Sequence, residues 1–205
     1  MTKLLVLESS IFPAGVSASR AVTAKFVARW VAKHPGTRIV RRDLAANPVP
    51  HAALPLLSGA GKRPEDRTAE ERAAVSVLDE LTGELFDADV IVIGAPMYNF
   101  SIPSTLKSWI DAIAIAGRTF RYLPDGRPEG LVLGKKVYVI ASRGGLYSEG
   151  PLAALNFQDT YLRAVLGLLG LTDLHVIAAE RQKMGPEQQA IGSEIAARQI
   201  DELAG

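Results

Sequence analysis

Val90-Ile91-Val92-Ile93 lies near the middle of the chain and consists only of β-branched residues. Such residues favour strands, and a run that is apolar at every position is typical of a strand covered on both faces. Comparable runs occur at Leu4–Leu7, Val137–Ile140 and Leu174–Ala178, with a weaker one at Arg38–Val40. These runs predict a parallel sheet that lies between two layers of helices.

Segments with helical periodicity alternate with the strand-like runs. Val22, Phe26 and Trp30 form an apolar stripe in the first of them, and Thr68 with Glu71 can form a capping box at the start of the second. Gly170 is suited to end the fourth helix, and Pro186 to begin the fifth. The five helices are predicted at Ser19–His34, after Thr68, at Ser104–Ala116, at about Ala153–Leu169, and from Pro186 to about Leu203.

Five strands that alternate with five helices indicate an α/β protein with a flavodoxin-like, three-layer αβα sandwich. Its five-stranded parallel sheet is expected to have the order 2-1-3-4-5. The 205 residues suit one core, so we expect a single domain over residues 1–205. Two excursions, Asp43–Arg67 and Arg118–Gly134, exceed what a minimal version of the fold needs, and long excursions are often functional or interfacial.

The composition of the chain narrows the classes of function that it can have. The 23 Lys and Arg are interspersed with 22 Asp and Glu, which argues against a nucleic-acid-binding stripe and a polybasic membrane patch. Without cysteine there is no disulfide, thiolate metal site or cysteine nucleophile, so redox chemistry needs a bound cofactor. The histidines His34, His51 and His175 have no metal-ligand spacing, and no metal site is expected. Apolar runs are too short for a signal peptide or a bilayer span, so we expect a cytoplasmic protein.

The loops at the carboxyl edge of the sheet carry the candidate site, because in this strand order ligands bind between strands 1 and 3. After strand 1, the segment Ser9–Ser19 offers hydroxyls and amides just before the first helix, including those of Ser10, Ser17, Ala18 and Ser19. A phosphate monoester suits such a place, since free N–H groups and the helix dipole favour an anion. The alternative is a plain helix cap, for which serine is a favoured residue.

Two more loops at this edge are unusual. After strand 3 comes Pro96-Met97-Tyr98-Asn99-Phe100, whose large side chains and backbone N–H groups suit the flank of a planar heteroaromatic ring. After strand 4 comes Ser142-Arg143-Gly144-Gly145, where adjacent glycines allow close approach to a ligand or a positive φ. Taken singly, the first loop can be an apolar cap on the core and the second a tight turn. Together with the strand 1 loop, they predict a mononucleotide site of the flavin type.

These motifs resemble those of the FMN-dependent NADH:azoreductase family, which is related to the quinone reductases. The resemblance covers nearly the whole chain, including Arg42–Pro48 and Thr119–Tyr122. It implies that Ser10 and Ser17 to Ser19 hold the phosphate of non-covalently bound FMN, while Met97 to Phe100 and Ser142 to Gly145 hold the isoalloxazine. Ala18 departs from the family pattern, in which a polar residue such as Gln is common, so a side-chain contact to the phosphate is lost.

The resemblance further implies a reaction and partners. NADH or NADPH would transfer a hydride to the flavin and leave, after which an azo compound or quinone would be reduced at the same face. No acid-base triad is required, and Asn99 is a candidate for a polar contact near the ring. The family forms homodimers with shared sites, so Phe120 and Phe157 are candidates for the neighbour's acceptor pocket. For Phe120 the alternative is burial within its own subunit.

Three other readings compete with this one. A flavodoxin-type electron carrier would have the same fold, but such carriers are strongly acidic, whereas this chain has a formal charge of +1. A hydrolase would use a loop serine, yet no G-x-S-x-G elbow is present and no histidine is close to those serines in sequence. The segment Gly130–Lys136 has the wrong glycine spacing for a phosphate-binding P-loop.

Overall fold

The computed structural model describes residues 1–51 and 54–204, which form one parallel sheet, one small hairpin and six helices. The strands are β1 (Lys3–Glu8), β2 (Arg38–Asp43), β3 (Val90–Pro96), β4 (Phe120–Tyr122), β5 (Pro128–Gly130), β6 (Lys136–Ser142) and β7 (Asp173–Ala179). The helices are α1 (Ala18–Lys33), α2 (Leu54–Ala60), α3 (Ala69–Asp87), α4 (Ser104–Ile113), α5 (Phe157–Leu168) and α6 (Pro186–Leu203).

The sheet has the order β2-β1-β3-β6-β7, and every neighbouring pair is parallel. This is the predicted order 2-1-3-4-5 once the two hairpin strands are left out of the numbering, so the predicted flavodoxin-like fold is confirmed. All seven residues of β3 are buried, as expected for a central strand with helices on both faces. The order of strands reverses between β1 and β3, and the carboxyl ends of these strands meet at one edge.

Helices cover both faces of the sheet. Leu5 and Leu7 of β1 belong to an apolar cluster with residues of α3, α4 and α5, including Trp109. Leu4 and Val6 belong to a second cluster with residues of α1 and α6. Successive residues of a strand point to opposite faces, so one short apolar run contributes side chains to both clusters. The result is the predicted three-layer arrangement.

Two helices are shorter than expected from their periodicity. α4 ends at Ile113 and not at Ala116, because the Thr119 hydroxyl donates to the Ile113 carbonyl (2.6 Å) and accepts the Ile115 N–H (3.1 Å). α5 begins at Phe157 and not near Ala153, since residues 153–155 form a single 3-10 turn. The Asn156 side chain caps α5 by accepting the Asp159 N–H.

The two excursions contain structure that the sequence did not predict. Within Asp43–Arg67 lies α2, which packs so closely on α3 that a Cβ at Gly59 would lie 2.9 Å from the Glu71 Cβ. Positions 52 and 53 of this excursion lie outside the described residues. Within Arg118–Gly134, β4 and β5 form an antiparallel hairpin whose three-residue strands are too short to show an alternating pattern.

Candidate active site

A cavity of about 280 Å³ opens at the carboxyl edge of the sheet, between the loops that follow β1, β3, β6 and β7. Three of these four loops are the ones that the sequence predicts, and the structure brings them together. Phe12, Val16, Gln182, Lys183 and Gln189 complete the lining. The predicted residues that line the cavity are Ser10, Ser17, Ala18, Pro96, Met97, Tyr98, Ser142, Arg143 and Gly144.

The β1–α1 loop presents unused donors to this cavity. Ser17 caps α1, and its hydroxyl accepts the Arg20 N–H (3.3 Å) and lies 3.1 Å from the hydroxyl of the fully buried Ser19. Within residues 1–51 and 54–204, the backbone N–H groups of Ala18 and Ser19 have no acceptor. Ser10 adds a hydroxyl that accepts the Phe12 N–H at 3.2 Å. A helix N-terminus with free N–H groups and adjacent hydroxyls favours a phosphate.

Arg20 supports the same loop from behind. Its guanidinium donates to the carbonyls of Phe12 (3.0 Å) and Ser10 (2.8 Å) and forms a two-point ion pair with Asp43 at 2.7 and 3.0 Å. The ion pair lowers the pKa of the Asp43 carboxyl. All of these donors are committed to the protein, so Arg20 shapes the loop and is not a free phosphate ligand.

Glu8 lies at the end of β1, beneath this loop. Its Oε2 and the Oγ1 of the fully buried Thr23 have no hydrogen-bond partner among the described residues. A Cβ at Gly94 would lie 2.6 Å from the Glu8 Oε2 and 3.0 Å from the Thr23 Oγ1, so only glycine leaves room for both groups. Burial raises the pKa of the Glu8 carboxyl to about 7, partly opposed by the charge of Arg20.

The β3–α4 loop is held in a strained turn. Tyr98 and Ser101 exchange two backbone hydrogen bonds (2.9 and 3.1 Å), and both residues between them have positive φ, 49° at Asn99 and 70° at Phe100. Asn tolerates this conformation, whereas a bulky residue such as Phe is rarely found in it. Strain of this kind is concentrated at functional sites. In the described part of the chain, the N–H groups of Asn99 and Phe100 have no acceptor.

The β6–α5 loop is fixed on one side and open on the other. The carbonyls of Arg143, Gly144 and Gly145 accept the N–H groups of residues 182 (3.0 Å), 183 (2.8 Å) and 181 (2.9 Å), respectively. The N–H groups of Gly144 and Gly145 find no acceptor in the described ranges. Neither glycine has a positive φ, so their role here is close approach of the backbone and not an unusual conformation.

The Arg143 side chain is committed to the protein, and the cofactor-binding role expected of this residue stays a prediction. The residue is 2% exposed, and its guanidinium pairs with Glu180 (3.0 Å) and Asp159 and donates to Gln158 (3.0 Å). Gln158 in turn donates to the Ala95 carbonyl (2.9 Å). The side chain therefore ties the ends of β3, β6 and β7 to α5, and only its backbone remains available to the cavity.

Five cavity residues were not among the predicted site residues. Phe12 and Val16 belong to the β1–α1 loop, whereas Gln182, Lys183 and Gln189 follow β7. The rule that ligands bind at the carboxyl ends of the strands applies to β7 as well. The polar run Glu180-Arg181-Gln182-Lys183, directly after that strand, is the signal that could have identified Gln182 and Lys183.

The two aromatic residues predicted for the acceptor pocket have different environments. Phe120 is 7% exposed and packs in the core of its own chain, which is the alternative that the sequence left open. Its hairpin neighbour Tyr122 is exposed instead. Phe157 is 53% exposed at the start of α5, so its ring is accessible, and its role at the site stays a prediction.

The geometry gives little support to hydrolysis. His51 does meet a serine, since its Nδ1 lies 3.1 Å from the Ser108 hydroxyl. However, Ser108 is 5% exposed on α4, its hydroxyl also donates to the Ser104 carbonyl, and neither residue lines the cavity. Over the described ranges, no cluster of three metal-ligating side chains is found, and no helix is long and apolar enough to cross a membrane.

Comparisons with known proteins agree with this fold. A family described by its flavodoxin-like fold matches residues 2–203. The FMN-dependent NADH:quinone oxidoreductase of Herminiimonas arsenicoxydans is 51% identical over 187 residues, which cover 91% of each chain. An azoreductase from Bacillus anthracis str. Sterne has a TM-score of 0.88 at 32% identity, covering 100% of this chain and 97% of that one.

A second similar solved structure is a complex with FMN. It is an FMN-dependent NADH-azoreductase from Bacillus anthracis str. Ames Ancestor, with a TM-score of 0.86 and 26% identity over the full length of both chains. The chain therefore belongs to the flavodoxin-like family, alongside the FMN-dependent NADH:quinone oxidoreductases and azoreductases that it resembles.

Proposed function

We propose that this chain binds FMN without a covalent bond in the cavity at the carboxyl edge of the sheet, and that it reduces quinones and azo compounds with NADH or NADPH. It is an FMN-dependent oxidoreductase. The observation that carries the proposal is the arrangement of unused backbone donors. Three loops that are distant in sequence each contribute two neighbouring N–H groups that have no acceptor among the described residues: Ala18 and Ser19, Asn99 and Phe100, and Gly144 and Gly145.

These donors fit the two ends of FMN. The N–H groups of Ala18 and Ser19, with the hydroxyls of Ser10 and Ser17, suit the phosphate, because a helix N-terminus stabilises an anion without a basic side chain. The loss of a polar side chain at position 18 leaves the backbone donor in place. Non-covalent binding relies on several such charge-assisted hydrogen bonds, each contributing about 1.5–3 kcal/mol.

The other two loops suit the ring of the cofactor. Pro96, Met97 and Tyr98 give one wall an apolar surface, and the N–H groups of Asn99, Phe100, Gly144 and Gly145 can donate to polar atoms at the ring edge. When bound, FMN would supply the two-electron chemistry by accepting a hydride from the nicotinamide and reducing the acceptor. The protein's task is to bind and orient the reactants, and Asn99 is the candidate for a polar contact to them.

We infer a ping-pong order because nicotinamide donor and acceptor would use one exposed face of the site in turn. Initial rates at several donor concentrations should then give parallel lines in double-reciprocal plots. Converging lines would contradict the inference. A quinone requires one reduction cycle and full cleavage of an azo bond two, so we expect quinones to be reduced faster.

We further propose that residues 1–205 act as a single FMN-binding domain within a homodimer. Support comes from exposed apolar side chains, among them Tyr122 on the β4–β5 hairpin, Leu152 in the β6–α5 loop and Phe157 at the start of α5. In a shared site, Phe157 would line the acceptor pocket of the neighbouring subunit. Phe120 would stay buried in its own core and hold the β4–β5 hairpin in place. The cytoplasmic location expected from the sequence stays a prediction.

One experiment tests the proposed function. The purified protein should show the visible spectrum of a flavin, and the cofactor released by denaturation should be FMN. Without oxygen, NADH or NADPH should bleach the spectrum, and a benzoquinone or methyl red should restore it. Failure of the folded apoprotein to bind added FMN would overturn the proposal. A long-lived semiquinone during redox titration would favour an electron carrier.

A further inference from the structure

We propose that Lys183 supplies the uncommitted positive charge of the flavin pocket and makes the bound cofactor easier to reduce. The inference rests on the proposed FMN site and goes beyond it, because it assigns a redox-tuning role to a residue of the β7–α6 loop. It follows from how the backbone of Lys183 is held, where its side chain passes, and which charges in the cavity are already paired.

The backbone of Lys183 is anchored to the glycine-containing loop after β6. Its N–H donates to the Gly144 carbonyl at 2.8 Å, and the N–H groups of Arg181 and Gln182 donate to the two flanking carbonyls. Arg181 has a φ of 63°, a left-handed conformation that turns the chain as it leaves β7. Three hydrogen bonds in succession therefore fix residues 181–183 beside Gly144 and Gly145, whose N–H groups have no acceptor among the described residues.

The Lys183 side chain passes over Gly144 and lines the cavity. Its Cγ and Cβ lie 3.3 and 3.5 Å from the point that a Cβ of Gly144 would occupy. A Cβ at position 144 would make a tight contact with this side chain, which would have to shift slightly. The glycine thus allows both the backbone approach and the passage of the lysine stem beside the cavity.

The charges around the cavity leave Lys183 uncommitted. Its Nζ forms no ion pair or hydrogen bond within residues 1–51 and 54–204. The other cation in the lining, Arg143, is paired with both Asp159 and Glu180. That buried cluster contains two carboxylates and one guanidinium, so it cannot offer a net positive charge. Lys183 is therefore the cation that remains to interact with a negative charge in the cavity, within the described part of the chain.

Reduction is the step at which such a charge matters. Two-electron reduction makes the ring of a flavin more negative, so a nearby cation stabilises the reduced form more than the oxidised form. The ammonium is exposed to solvent, which screens its effect. We expect the ratio of the FMN dissociation constants of the two redox forms to change about tenfold on loss of the charge. For a two-electron couple, this corresponds to a midpoint potential about 30 mV more negative.

The test compares three variants of the full chain with the wild type. Lys183→Met removes the charge and keeps an unbranched stem, Lys183→Arg retains the charge, and Lys136→Met removes an exposed lysine at the opposite edge of the sheet. The midpoint potential is measured by dye-coupled titration. The dissociation constant of oxidised FMN is measured by quenching of flavin fluorescence on addition to the apoprotein.

We expect the potential to fall in Lys183→Met and to stay near the wild-type value in Lys183→Arg and Lys136→Met. Binding of oxidised FMN should change less than twofold, and the difference in potential should shrink as the salt concentration is raised. An unchanged potential in Lys183→Met overturns the inference. Equal weakening of both redox forms also overturns it, since the charge would then act on the phosphate. A wild-type protein that binds no FMN overturns the proposed function itself.

Discussion

At Asn99, the contribution of the backbone conformation can be tested separately from the contribution of the amide side chain. Its φ of 49° is accessible to Asn and Gly but strained for a β-branched residue. In the turn it forms with Phe100, the N–H groups of both residues have no acceptor among the described residues. The conformation and the amide side chain can therefore contribute independently to the site.

Asn99→Val should destabilise the apoprotein by roughly 1–3 kcal/mol, because the new side chain cannot adopt a positive φ without strain. It should also weaken FMN binding. Asn99→Gly is the matched control and should keep the stability and the FMN affinity while slowing acceptor reduction. Thermal melts of the apoprotein, FMN titration and steady-state rates measure the three effects. Normal acceptor kinetics in Asn99→Gly would exclude a role for the amide.

Glu8 makes stability depend on pH. Burial raises its pKa from 4.5 to about 7. A raised carboxyl pKa means that the neutral form favours folding, so its contribution is complete below pH 4.5 and is lost as the pH rises through 7. The groups that face it are Arg20 and Thr23 of α1 and Asp43 and Arg41 of β2.

Glu8→Gln cannot ionise and should therefore be more stable than the wild type at pH 8.5. Partial exposure and screening reduce the effect, and we expect roughly 1–2 kcal/mol. At pH 5 the two proteins should have nearly the same stability, because Glu8 is then mostly neutral. Urea unfolding at the two pH values measures the difference. Equal stabilities at pH 8.5 would show that the carboxylate is well solvated.

At the scale of elements, one buried arginine joins four of them. Arg143 at the end of β6 reaches Glu180 after β7 and Asp159 and Gln158 on α5, and Gln158 reaches β3. Glu180 also accepts the Tyr147 N–H (2.8 Å) and the Ser148 hydroxyl (2.5 Å). The β6–α5 loop of the site is thus held by a buried charged network.

Arg143→Met should cost about 3–5 kcal/mol of stability, because it leaves the buried Glu180 carboxylate without its partner. Adding Glu180→Gln should recover part of this loss, since no charge then remains unpaired at that position. Urea unfolding of the apoproteins gives the three values. If the two residues act independently, the losses of stability in Arg143→Met and Glu180→Gln should simply add in the double variant. That result would contradict the prediction.

At the scale of the whole molecule, exposed apolar side chains on α2 indicate a candidate interface between two copies of the chain. Leu54 and Leu57 lie three residues apart on α2, and both are exposed. Residues at this spacing share a helix face. They lie beside an apolar cavity of about 330 Å³ between α2 and α3, lined in part by Pro55 and Val77.

Light scattering at micromolar concentration should report a dimer, with twice the mass of the 21.9 kDa chain. Leu57→Asp should shift the protein towards monomer, because the carboxylate would lose its hydration in an apolar interface. The control Ile191→Asp changes an exposed residue of α6, which covers the opposite face of the sheet, and should leave the mass unchanged. A wild-type monomer with full activity would rule out a shared site.

Most of the fold is encoded locally. The runs at Leu4–Leu7 and Val90–Ile93 are apolar at every position, and this pattern alone identifies strands with helices on both faces. Handedness and the switch-point rule then place Ser10, Met97 and Ser142 at one edge. The β4–β5 hairpin and α2 were not predictable, because segments of three and seven residues show no measurable period.

Sequence patterns thus established the sheet, its strand order, and the loops that meet at its carboxyl edge, since each depends on periodicity or on general rules of chain connection. Tertiary structure decided how individual side chains and backbone groups are used. Only in the folded chain is Arg143 buried against Glu180, Phe120 packed in the core of its own subunit, and Lys183 placed over Gly144. The reason is physical: burial, pairing of charges and free backbone donors depend on neighbours that lie many residues away in the sequence.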